Sequence, residues 1–270
     1  MSKALRGLIG ILAAGLAIFA ALSFVPDGID LGFVRLKTGS FAETMFAAPK
    51  VTKHEAQSAA GQGGGEQPEK AVAQPSKPKK AAMDTTAKVI LFIGDSMLEG
   101  LGPRLAAYAQ ENGHTLINVI WYSSTTEIWG ASTRLKERIA EFHPDYIFVC
   151  LGANELFVSD IQRKRQRYLD NMLAQIGDIP YVWIGPPNWK PDTGINDMLQ
   201  QSCAPGTFFL SNGQHFDRAK DGAHPTHASA SAWCDRVCSW VMSQSAHPIR
   251  LNKPKAAKAR CRTIVYQPQR

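Results

Sequence analysis

Residues 88–100 read KVILFIGDSMLEG. Behind Lys88 runs an unbroken apolar stretch, Val89 to Ile93, which is short, rich in β-formers and closed by Gly94, so 88–93 reads as a strand that is apolar on both faces. Four more runs have the same character: 115–122, 146–151, 181–185 and the short 207–210. Between them the apolar period changes to that of helices. Leu135, Ile139 and Phe142 mark one helix, stopped by Pro144; Ile161, Leu169, Met172, Leu173 and Ile176 mark another; a last one runs from about Thr226 to Ser243. Strands alternating with helices at this spacing form βαβ units, and strands apolar on both faces need helices on both sides. The expectation is an α/β protein: a three-layer sandwich around a mainly parallel five-stranded sheet.

Outward from this block the texture changes. The chain has 270 residues, is 44% hydrophobic and carries a formal charge of +7, enough for one good-sized domain with appendages. Residues 1–27 hold Lys3 and Arg6 ahead of an almost unbroken apolar run, 8–25, closed by Pro26 and Asp27. A run of this length suits a membrane anchor or export signal. Ala20 and Ala21 make a weak cleavage site, so a retained anchor is favoured, and the positive charges ahead of it place the rest of the chain outside the cytoplasm; if it is cleaved, the protein is secreted. Residues 28–87 are rich in Ala, Gly, Gln, Pro and Lys and read as a flexible tether. Residues 88–245 are the folded domain, and 246–270, with Lys253, Lys255, Lys258, Arg260 and Arg262, read as a basic tail. No aromatic and basic residues interleave as a nucleic-acid-binding module requires, so no nucleic-acid partner is expected. Five cysteines cannot all pair within one chain. Cys234 and Cys238 read as packing residues of the last helix; no metal and no cofactor are expected.

The chemistry should lie outside the carboxyl ends of the strands. Gly94-Asp95-Ser96-Met97 follows the first strand, Gly152-Ala153-Asn154-Glu155 the third, and Asp221-Gly222-Ala223-His224-Pro225 precedes the last helix. A serine hydroxyl becomes a nucleophile when an imidazole takes its proton and a carboxylate holds that imidazole, and Ser96, His224 and Asp221 supply those parts. With two residues between them, Asp221 and His224 can share one turn. Ser96 stands at a strand-to-helix junction where free NH groups favour negative charge, so its own NH and the side-chain amide of Asn154 are candidate oxyanion donors. Asp95 reads as a loop brace, Glu155 as a helix-start carboxylate and His227 as a polar residue of a first helical turn.

These three clusters resemble, in order and strand context, the first, third and fifth sequence blocks of the SGNH (GDSL-like) hydrolase superfamily, over roughly residues 88–243. The resemblance implies a flavodoxin-like fold and an activity among esterases, lipases, glycan deacetylases and O-acyltransferases. Ser96, Asn154 and His224 match the name-giving residues directly. The family's glycine after the second strand has no counterpart in Trp121-Tyr122-Ser123-Ser124-Thr125-Thr126, so the backbone NH of Ser123 or Ser124 is expected to stand in. Trp121 and Trp189 are candidate substrate-binding aromatics, suited equally to sugar rings and to packing. The expected function is hydrolysis of acyl esters, acetyl being the simplest, on a small molecule or an envelope glycan. Acyl transfer with a membrane partner, or glycan binding without catalysis, are the alternatives. The absence of a G-x-S-x-G elbow argues against an α/β-hydrolase.

Overall fold

The computed structural model describes residues 82–268 and two short strand segments nearer the amino terminus. In the latter, Ile29–Asp30 pairs antiparallel with Arg35–Leu36. The expected anchor over 1–27 lies outside the described residues, as does the tether apart from those segments and residues 82–87. Among the described residues no helix is long and apolar enough to cross a membrane.

The domain is a six-stranded, all-parallel sheet. Its strands are β1 (Val89–Gly94), β2 (Thr115–Trp121), β3 (Tyr146–Cys150), β4 (Tyr181–Ile184), β5 (Phe208–Phe209) and β6 (Arg262–Tyr266), in the order β5-β4-β3-β1-β2-β6. β1 sits centrally, paired with β2 on one side (Val89 opposite Thr115) and with β3 on the other (Ile90 opposite Tyr146). The helices are α1 (Leu98–Glu111), α2 (Thr126–Gly130), α3 (Arg134–Phe142), α4 (Ile161–Ile176), α5 (Ile195–Ser202) and α6 (His227–Gln244).

Successive residues of a strand point to opposite faces, and the apolar run of β1 divides accordingly. Ile90 and Phe92 join Leu98, Leu101 and Leu105 of α1 and Trp233, Val237 and Val241 of α6 in one core. Leu91 and Ile93 join Trp129, Leu135, Leu169, Met172 and Leu199 from α2 to α5 in the other. This is the three-layer sandwich expected, and each fully buried side chain of this size contributes about 1.5–3 kcal/mol relative to exposure. The helix over Arg134–Phe142 ends as anticipated: His143 turns left-handed at φ 47°, because a residue preceding proline is kept out of the helical region.

Two boundaries differ from the sequence reading. The sheet has six strands instead of five, because the basic tail read over 246–270 contains β6, whose Ile117–Arg262 to Trp121–Tyr266 register extends the sheet beyond β2. β6 is a half-exposed edge: Ile264 and Tyr266 pack inward while Arg262, Thr263 and Val265 face out. With Arg262 and Thr263 polar, only Ile264, Val265 and Tyr266 behind them and a Lys/Arg-rich approach, it lacks the longer apolar run that marks the central strands. The second difference is at the start. Asp84 bridges to Ile249, donating its NH to Pro248 and accepting that of Arg250, so the last residues assigned to the tether already belong to the fold.

Candidate active site

β1 delivers Ser96 through a close approach that only glycine allows. A Cβ on Gly94 would lie 2.2 Å from the carbonyl oxygen of Cys150 on β3, and Asp95 NH bonds to that same oxygen at 3.3 Å. The chain then turns directly into α1, with Glu99 NH donating to Ser96 C=O at 3.1 Å. Ser96 therefore sits in the turn just ahead of a fourteen-residue helix capped at Met97, where unsatisfied NH groups and the helix dipole favour an anion.

His224 and Asp221 reach it from the loop before α6. Ser96 Oγ lies 2.7 Å from His224 Nε2, and His224 Nδ1 lies 2.8 Å from Asp221 Oδ2. The turn orients the carboxylate: its other oxygen, Oδ1, accepts the NH groups of Ala223 and His224, each at 2.9 Å. Those two NH groups, His224's first, and then the imidazole lower the Asp221 carboxyl to about 2. The three groups line a cleft of about 480 Å³ with Met97, Glu99, Gly100, Lys220, Pro225, Thr226, His227 and Ala230. A larger open hollow of about 630 Å³, between residues 160–163 and 193–201, contains none of the triad.

Arg218, which the sequence reading passed over, holds this loop in place. It donates to the carbonyl of Ala223 at 2.8 Å and to those of Pro187 and Asn188 at 2.8 and 2.9 Å. It thereby ties the Asp221–His224 turn to the segment after β4. Nothing local in the sequence signals such a contact, because two of its three acceptors are backbone oxygens some thirty positions away.

Asn154 follows β3 and joins the two loops on either side of it. Its Nδ2 donates to Ser124 C=O at 2.9 Å and to Asp95 Oδ2 at 3.4 Å. The two serines offered as oxyanion donors now differ. Ser124 NH is committed to Trp121 C=O at 3.1 Å, whereas among the described residues Ser123 NH meets no acceptor, and Ser123 is left-handed at φ 57°.

The aromatics need correction. Trp121 is 1% exposed; its indole NH donates to Gln267 C=O at 3.1 Å, and its ring packs edge-on against Trp129 and Tyr266. It is a core residue under β6 and cannot bind substrate. The sixth strand, unseen in the sequence reading, is what buries it. Trp189 is half-buried and donates to Ala153 C=O at 2.9 Å. It supports the Asn154 loop from behind and does not line the triad cleft. His227 does line it, and Cys234 and Cys238 are buried in α6.

Asp95 is fully buried beside this machinery. Its Oδ1 accepts Met97 NH at 2.9 Å. Burial raises its carboxyl to about 7, opposed by the Met97 NH and by the charge of His224 and reinforced by Glu155. An unfolded chain releases this proton near the ordinary aspartate value, ~3.9, so the folded state binds the extra proton between about 4 and 7, and its stability falls as pH rises through that window. Asp95→Asn removes the titration while keeping the shape. The expected result is a melting temperature that gains on the wild type from pH 5 to pH 8; a difference constant with pH would contradict it.

No family model matches the chain, and no curated protein does. Among solved structures it is similar to a psychrotrophic esterase EstA from Pseudoalteromonas sp. inhibited by monoethylphosphonate, with 19% identity and a TM-score of 0.44, over 57% of this chain and 96% of that one. It is also similar to TesA, at 21% identity and a TM-score of 0.45, over 57% and 97%. A third likeness is to a Clostridium thermocellum family 3 carbohydrate esterase, at 13% identity and a TM-score of 0.44, over 57% and 94%.

Proposed function

We propose that this protein is a serine hydrolase of the SGNH type that cleaves carboxylic esters through an acyl-enzyme on Ser96. The observation that carries the reading is the hydrogen-bonded line from Asp221 through His224 to Ser96, two contacts of 2.8 and 2.7 Å between groups 125 or more positions apart at its serine end. In this reaction His224 Nε2 takes the Ser96 proton as Oγ bonds to the ester carbonyl carbon, and Asp221 stabilises the imidazolium. The oxyanion is met by the NH groups of Ser96 and Ser123 and by the Asn154 Nδ2 hydrogen that otherwise faces Asp95 Oδ2 at 3.4 Å, the second hydrogen staying on Ser124 C=O, each such donor being worth about 3–4 kcal/mol at the transition state. Collapse expels the alcohol, protonated by His224. Water then attacks the acyl-enzyme with His224 again as base, and the acid leaves.

Hydrolysis is favoured over transfer of the acyl group to a sugar by solvent access: the His224 and Asp221 side chains are 36% and 51% exposed, so water reaches the base freely. The substrate we propose is an O-acyl, simplest an O-acetyl, ester of a small molecule or envelope glycan. Residues 1–27 would hold the protein at a membrane with the catalytic domain outside the cytoplasm, a reading supported by Lys3, Arg6 and the apolar run over 8–25.

A fluorophosphonate probe tests the reading on the full chain, since it reacts only with an activated serine. Labelling of the wild type, together with release of free acetate from an acetylated sugar, is the expected result. Folded wild-type protein that stays unlabelled would remove the hydrolase reading and leave binding without catalysis.

A further inference from the structure

Glu155 was expected to serve the start of its own segment, yet its carboxylate reaches across to a different element. It is fully buried. Oε2 accepts the backbone NH of Thr126 at 2.9 Å, and Oε1 accepts the Thr126 hydroxyl at 2.8 Å and Arg165 Nε at 2.9 Å. Arg165, itself largely buried, pairs also with Glu127 at 2.8 Å. A buried carboxylate is stable only when its oxygens are matched by donors, and three of them are supplied here by the first residue of α2 and by α4.

The neighbouring residue grips the same loop. Asn154 holds Ser124 C=O while Glu155 holds Thr126, so two consecutive side chains from the end of β3 clamp the segment that leads from β2 into α2. That segment carries Ser123, a side-chain-bearing residue at φ 57°. L-residues disfavour this conformation, and it persists only where the surroundings enforce it. A glycine at this point would need no such enforcement.

We infer that Glu155 is a positioning residue of the oxyanion hole: by anchoring Thr126 beside Asn154 it holds the strained Ser123 peptide so that the Ser123 NH and the Asn154 amide serve one oxygen. This rests on the hydrolase reading. Glu155 touches no reacting atom; it acts through the loop, and its buried charge is balanced by Arg165. The donors it fixes matter only once negative charge has formed on the carbonyl oxygen, so its loss weakens the transition state and leaves ground-state binding alone.

Glu155→Gln keeps the shape and removes one acceptor oxygen, because an amide nitrogen donates and can accept neither the Thr126 NH now held by Oε2 nor the Arg165 Nε now held by Oε1. With the full chain and 4-nitrophenyl acetate, rates are counted per serine titrated by the fluorophosphonate, so unfolded protein does not contribute. The expected result is a fall of about 100-fold in kcat with KM within twofold. Affinity for a trifluoromethyl ketone, whose adduct carries the oxyanion, should fall by the same factor as kcat/KM. If Glu155→Gln does not fold, Thr126→Val, which loses one hydroxyl, should show a fall of about tenfold in kcat and the same loss of ketone affinity. A kcat within twofold of wild type in whichever variant folds overturns the inference, as does a loss of kcat with ketone affinity intact. Wild type that neither titrates nor hydrolyses the ester overturns the hydrolase reading itself, and Glu155's role with it.

Discussion

Ser96→Ala should fold like the wild type, fail to take up a fluorophosphonate and lose esterase activity by a factor on the order of 10⁴ to 10⁶. The size of the loss follows from the contacts. The hydroxyl is the only group the 2.7 Å bond from His224 can deprotonate toward the substrate, and no other serine or cysteine stands on that cleft. What remains should be the part due to the oxyanion donors and binding, which do not need the hydroxyl. Melting temperature serves as the control: the side chain lost is small and partly exposed, so a shift of more than a few degrees would mean that the variant reports on folding instead. Labelling retained in folded Ser96→Ala would place the nucleophile elsewhere.

Removing the base should cost nearly as much. His224→Ala leaves the serine with no proton acceptor, and the expected loss is again on the order of 10⁴-fold or greater. The two groups act as one unit, so the Ser96→Ala/His224→Ala double variant should be no slower than the worse single variant; losses that multiply would show that the residues work independently. Asp221 adds a pH signature. Its carboxyl is lowered to about 2 by the NH groups of His224 and Ala223 and by the imidazole, so it stays ionised from that pH upward. Activity lost on acidification from pH 7 to pH 4 therefore does not come from Asp221. Asp221→Asn should be slower at every pH and still show an acid limb; a limb that vanishes in this variant would assign the titration to the carboxylate after all.

Much of this was legible because it depends on neighbours in the chain. The apolar run Val89 to Ile93 and its closure at Gly94 follow from local chemistry, and so do the strand after it and the helix endings at Pro144. Asp221 and His224 share a turn because they are three positions apart, and their 2.8 Å contact realises what that spacing permits. The placing of Ser96, Asn154 and that turn after successive strands is also a sequence property, since parallel strands present their carboxyl ends on one edge.

Other features were decided by contacts between distant segments. β6 is weak as a sequence pattern because an edge strand needs only alternate residues inward, and its hydrogen bonds come from β2. Its presence turned Trp121 from a candidate rim residue into a buried one. Arg218 and Glu155 work through backbone groups and buried partners that no spacing rule connects to them. Ser123 and Ser124 are chemically alike, and only the folded backbone, which spends one NH on Trp121 and among the described residues gives the other no acceptor, tells them apart. The sequence by itself determined which side chains are candidates for the chemistry and which strand ends bear them, since periodicity and short-range spacing are encoded residue by residue. The tertiary structure alone decided which donors are unspent and which rings are covered, because hydrogen-bond satisfaction and burial are settled only when separate segments compete for the same atoms.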